Sequence, residues 1–145
     1  MAYRETGLKE AAATAFHRAI RLLPLQLDFR NELASVLIDL GKFGEAREQL
    51  EFVLRENPEH LSAWVNLGFL SLSALHDLKA AERCYRTALA LEPDHVQALI
   101  NLAGTQVLSG DVDAAKRLLQ CELVLEPSNQ QARIRIKALQ ETSTR

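Results

Sequence analysis

The residues best equipped for bond-making chemistry are four histidines, His17, His60, His76 and His95, and two cysteines, Cys84 and Cys121. Acid–base, nucleophilic or metal chemistry needs such groups held within hydrogen-bond or ligand distance of one another. Their spacing works against it. The histidines fall on separate segments, three of them near turns, and no HExxH or CxxC pairs two ligands. The sequence has no GxSxG elbow, no Walker loop and no GxGxxG fingerprint. No catalytic residue, metal ligand or cofactor is expected, and the chain reads as a non-enzyme. The cysteines read as buried or half-buried thiols in a reducing compartment.

The polar groups that do recur in register are amides. Asn66 and Asn101 each sit among apolar neighbours, and each offers both hydrogen-bond donors and acceptors. What must position them is a set of helices with a common period. Prolines occur at Pro24, Pro58, Pro93 and Pro127, separated by 34, 35 and 34 residues. Alanines keep the rhythm at Ala12, Ala46, Ala81 and Ala115, and Phe16, Leu50, Tyr85 and Leu119 follow four residues later. Ile20, Leu54, Leu89 and Leu123 come four further on, and Leu33, Leu67, Leu102 and Ile136 form another series. The one extra residue falls between Gly68 and Ala81 in every series.

Each period holds two apolar stretches with i, i+3, i+4 spacing, hence two amphipathic helices. The expected pairs are 27–40 with 44–56, 61–74 with 78–91, and 96–109 with 112–125. Gly41 and Gly110 stand where the first helix of a pair must stop, because glycine enters the left-handed region at little cost. His76 takes that place in the middle pair, where the extra residue reads as a local loop adjustment. The prolines prevent continuation of the second helix. Small residues at Ala46, Ala81 and Ala115 allow two helix backbones to approach closely.

The pattern resembles the tetratricopeptide repeat, with its W-x2-L-G-x2-Y, A-x3-F and P signature. Trp64, Leu67 and Gly68 match the first part, and Ala81, Tyr85, Ala88 and Pro93 match the second. Elsewhere Arg30 and Leu99 replace the tryptophan, and Ala34 and Ala103 replace the glycine. Glu122 stands where Ala19 and Ala88 fall, which puts the packing of the last full repeat in question. The resemblance implies an all-α fold, an α-solenoid of antiparallel helix pairs stacked in a right-handed superhelix. It divides one domain, 1–145, into a partial repeat (1–26), full repeats (27–60, 61–95 and 96–129), and a terminal capping helix with its tail (130–145). Counting back from Pro24 puts Gly7 at an interhelix turn and Tyr3 at the signature tyrosine. The chain then begins inside a repeat, as a segment of a longer protein or a half-built first repeat would.

In this family the first helix of each pair lines the concave side. The resemblance therefore implies a peptide-binding groove formed by Asn31, Val65, Asn66, Phe69, Gln97, Ile100, Asn101 and Arg135. Glu32, Ser35, Ser62 and Ile134 lie in the same rows. An asparagine ladder can hold the backbone of an extended peptide, as similar ladders do in O-linked N-acetylglucosamine transferases. An asparagine at this place is also common in the repeat consensus, where it bonds locally or meets water, so both roles stand open. A complete carboxylate clamp is not expected, because its basic places hold Asn31, Gln97 and Asn101. Shifting the frame by one repeat recovers Arg135 but puts Val65 where a lysine belongs.

The implied partner is a protein or peptide. An alternative is a self-associating scaffold, since the incomplete first repeat leaves the apolar face of helix 10–23 without its usual neighbour. A regulatory segment of a larger protein, enzymatic or not, is a third reading. At 145 residues, nearly half apolar and a quarter charged, the chain suits one soluble domain. A net charge of −2 argues against a nucleic-acid or membrane surface. No apolar run approaches the roughly 20 residues of a membrane span, and MAYRETGLKEAA does not read as a signal peptide. The expected location is cytoplasmic.

Overall fold

The computed structural model describes residues 2–143, with side chains for 5–141. Eight helices follow in order: α1 (Ala2–Leu22), α2 (Leu27–Asp39), α3 (Phe43–Glu56), α4 (Leu61–Leu75), α5 (Leu78–Leu91), α6 (Val96–Ser109), α7 (Val112–Leu125) and α8 (Gln130–Ser143). Among the described residues there is no strand. The chain forms two compact units, Met1–Leu70 and Ser71–Arg145.

In the first unit α1 packs on α2, and α2 packs on α3. The alanine-and-leucine register does what its spacing requires: Ala46, Leu50 and Val53 of α3 are fully buried, as are Leu33, Ala34 and Leu37 of α2. The same register in α1, at Ala12, Phe16 and Ala19, is only half-buried. Arg30, in the tryptophan position, substitutes for an aromatic by stacking on one. Its guanidinium lies 4.0 Å from the centroid of Phe52, and Nη1 donates to Gln49 Oε1 at 2.8 Å.

The expected turn at Gly7 does not form. Helix α1 runs through it, and a Cβ at Gly7 would meet nothing within 4 Å. One glycine inside a helix costs only about 1 kcal/mol. The helix formers around it, Leu8, Lys9, Glu10 and three alanines, outweigh that cost. The Tyr3 side chain lies outside the described residues.

In the second unit α5, α6, α7 and α8 pack successively, each on the next. Tyr85, Ala88, Leu102, Ala103, Ala115 and Leu119 are buried. Glu122 is buried too, at 1% exposure. Its Oε1 accepts from Asn129 Nδ2 at 2.5 Å, whereas Oε2 has no partner. Desolvation raises its pKa, Arg135 opposes that rise, and Glu126 adds to it. The capping helix α8 buries Ala132, half-buries Ile136, and exposes Arg133, Arg135 and Lys137.

One turn geometry recurs four times at the prolines. Backbone bonds close Gln26 N to Leu23 O, His60 N to Asn57 O, His95 N to Glu92 O and Asn129 N to Glu126 O, at 3.1, 3.1, 3.2 and 3.0 Å. Between the helices of a pair, Gly41 and Gly110 have φ of 73° and 87°. Five-residue closures lock both, from Lys42 N to Leu37 O and from Asp111 N to Gln106 O. The middle pair absorbs its extra residue here. His76 takes φ 52°, and the closing bond from Asp77 N reaches back six residues to Ser71 O at 3.0 Å.

Candidate functional site

Helix starts fix the orientation of the candidate side chains. His60 Nδ1 accepts from Ala63 N at 3.3 Å, and His95 Nδ1 accepts from Ala98 N at 3.1 Å. Asn129 does the same for α8, with Oδ1 accepting from Gln131 N and Ala132 N at 3.0 and 3.2 Å. These two histidines therefore serve as helix caps. His17 and His76 are exposed elsewhere. Sequence reasoning noticed only that the histidines lie near turns. The sharper signal was their place two residues after a proline and directly before an apolar-periodic run.

In the first unit the structure joins two of the expected groove residues. Asn66 Nδ2 donates to Asn31 Oδ1 at 2.9 Å, and Asn31 Nδ2 donates to Glu32 Oε1 at 3.4 Å. Asn31 is only 3% exposed, so its amide links α2 to α4 rather than offering a surface. Asn66 is half-buried and keeps its Oδ1 as an acceptor. Val65 is buried, and Phe69, at 45%, is an exposed aromatic. Trp64 is fixed by its indole N–H, which donates to Pro58 O at 2.8 Å.

In the second unit Gln97 Nε2 donates to Asn101 Oδ1 at 2.9 Å, one turn apart on α6. That leaves the Asn101 amide N–H groups as donors beside the half-buried Ile100. Arg133 reproduces the tryptophan contact, with Nη2 donating to Pro127 O at 2.6 Å. Arg135 is exposed on α8. A polar link that sequence reasoning missed joins α5 to α6: Glu82 Oε1 accepts from Gln106 Nε2 at 2.9 Å and pairs with Arg86 Nη2 at 2.7 Å. Gln106 stands where the first pair has Leu37 and the middle pair Ser71, and that change was the available hint.

The candidate rows thus mix primary amides with apolar side chains. Among the described residues, no three His, Cys, Asp or Glu side chains are grouped to hold a metal ion. No described helix is long and apolar enough to cross a membrane. Burial pushes the Cys84 thiol up, with Arg83 opposing and Asp77 adding, while Cys121 is exposed.

Family models described as tetratricopeptide repeat match residues 31–68 and 72–141. A Drosophila melanogaster relative, Protein O-mannosyl-transferase Tmtc3, is 34% identical over 105 residues. The match covers 70% of this chain, yet the chain spans only 11% of that relative's length. Among solved structures, MamA superposes with a TM-score of 0.82 at 20% identity, covering 97% of this chain and 82% of its own. The first repeat domain of Spaghetti (RPAP3), bound to the HSP90 peptide SRMEEVD, gives 0.76 at 18% identity, covering 83% of this chain and 94% of its own. At such identities these structures establish the fold alone.

Proposed function

The chain belongs to the tetratricopeptide repeat family, a family of protein-interaction modules, and we propose that it is a non-enzymatic module whose first helices accept an extended peptide of a partner protein. The observation that carries this reading is the recurrence of a partly exposed amide at one register, Asn66 on α4 and Asn101 on α6. Each is already oriented by one hydrogen bond, from Asn66 to Asn31 and from Gln97 to Asn101. An oriented amide loses little entropy on meeting a peptide group. Phe69 and Ile100 would contact apolar side chains of the ligand, and Arg135 would contact an acidic one. The peptide held by the Spaghetti domain supports this mode by fold analogy.

Asn101→Ala is expected to weaken a captured partner by about 0.5–1.5 kcal/mol, with unfolding unchanged. Asn66→Ala weakens it similarly but also destabilises the first unit, because Asn31 Oδ1 is left buried without its donor. Titration calorimetry alongside thermal melts separates the two effects. Unaltered affinity in a folded double variant would remove the amides from the interface.

Self-association is a second reading, favoured by α1. Ala12, Phe16 and Ala19 are half-buried at the register where Ala46, Leu50 and Val53 are fully covered. A helix from another copy would cover that face. Light scattering should then show mass rising with concentration, and Phe16→Glu should abolish the rise; a constant monomer mass excludes it.

A further inference from the structure

The turn between α1 and α2 repeats a known geometry with a different chemistry. Its backbone bond, Gln26 N to Leu23 O at 3.1 Å, matches those at the other three prolines. At those turns the residue before proline is Asn57, Glu92 or Glu126, and the residue after it is Glu59, Asp94 or Ser128. Here both are leucine. Leu23 is 53% exposed and Leu25 is 83% exposed, with Leu22 at 78% beside them. Since polar residues make the same turn elsewhere in the chain, the leucines are not there to fold it.

Two arginines precede the turn. Arg18 and Arg21 are exposed on the last turns of α1, no acidic residue occurs between Ala11 and Leu27, and the exposed Asp28 that follows is paired with His60 at 3.1 Å. The expectation of no membrane contact rested on the charge of the whole chain, which this local distribution does not follow. We propose that this turn is a contact site for an anionic lipid surface, with the leucines entering the acyl boundary and the arginines meeting headgroup phosphates. Leucines at the apex of a tight, proline-braced turn form a convex tip. A partner protein would need a matching pocket, whereas a bilayer interface yields to the tip. The turn is already closed by its backbone bond, which lowers the ordering cost of presenting the side chains. The contact is peripheral: it places the chain on a surface, not across it.

Co-sedimentation with phosphatidylcholine vesicles, with and without phosphatidylserine, tests the proposal. The wild type is expected to bind only the phosphatidylserine vesicles. The double variant Leu23→Asn, Leu25→Glu takes its residues from the second turn and so should fold as the wild type does. Its binding is expected to fall at least about ten-fold. Arg18→Gln with Arg21→Gln should also release the protein, as should added salt. Absence of wild-type binding, or equal binding by the leucine variant, overturns the proposal. So does lipid-independent clustering in light scattering that the leucine variant abolishes, which would assign the tip to a protein contact.

Discussion

Tyr85→Ala is expected to cost about 3–5 kcal/mol of unfolding free energy, whereas Tyr85→Phe should cost nothing and gain up to about 1 kcal/mol. The alanine variant removes a fully buried ring and leaves a void in a close-packed interior. The phenylalanine variant removes only a hydroxyl that is buried without a hydrogen-bond partner. Burial pushes the phenol's ionisation well above its ordinary range, with Cys84 adding to the rise. The group therefore stays neutral and contributes no charge interaction to lose. The chain's own register supports the exchange, because Phe16, Leu50 and Leu119 hold the equivalent place without a polar atom. Urea unfolding followed by circular dichroism gives both values. A phenylalanine variant weaker than wild type by more than about 1 kcal/mol would mean that the hydroxyl is bonded.

The second large effect concerns Glu122. Glu122→Gln is expected to stabilise the protein by about 1–2 kcal/mol at neutral pH, with the difference vanishing in acid. The sign follows from the raised pKa. A carboxyl whose folded value lies above its unfolded value binds its proton more tightly in the native state. The native state is therefore favoured below the unfolded value, and that advantage is lost as pH rises through the folded one. Above both, an ionised carboxylate sits buried with one oxygen unpaired and only partial relief from Arg135. Glutamine keeps the volume and an oxygen for Asn129 while removing the charge. Thermal melts of both proteins from acid to neutral pH decide it. If the variant is weaker at neutral pH, the carboxylate is holding Asn129 and α8 in place.

Much of the fold was legible because its information is periodic. Four prolines and the alanine series located the helices from Leu27 onward within a residue or two of where they lie. The same counting failed at Gly7, where register predicted a turn. A turn needs two helices to separate, and local helix preference prevails where nothing in the described chain packs across it. Glu122 was visible as an anomaly through its alanine register, though not its bond to Asn129, which depends on a side-chain path around the turn.

The candidate site was less legible than the fold. Its residues were named from the face they occupy, but Asn31 turned out to be a buried partner of Asn66. Asn31 stands at the register of Val65, one place before that of Asn66, and like Val65 it is buried. Naming a face does not separate neighbouring places on a helix; packing at the helix crossing does. The leucine turn escaped notice for the opposite reason: its backbone fits the repeat, and only comparison with the other three turns exposes its chemistry.

The histidine caps carry a consequence in proton placement. Because Nδ1 accepts from the helix backbone at His60 and His95, both rings must carry their single proton on Nε2. The two caps differ in what that proton meets. His60 directs Nε2 at Asp28 Oδ1, 3.1 Å away, so its proton ties the start of α4 to the start of α2. His95 makes its described bond through Nδ1, and its ring serves the start of α6 alone.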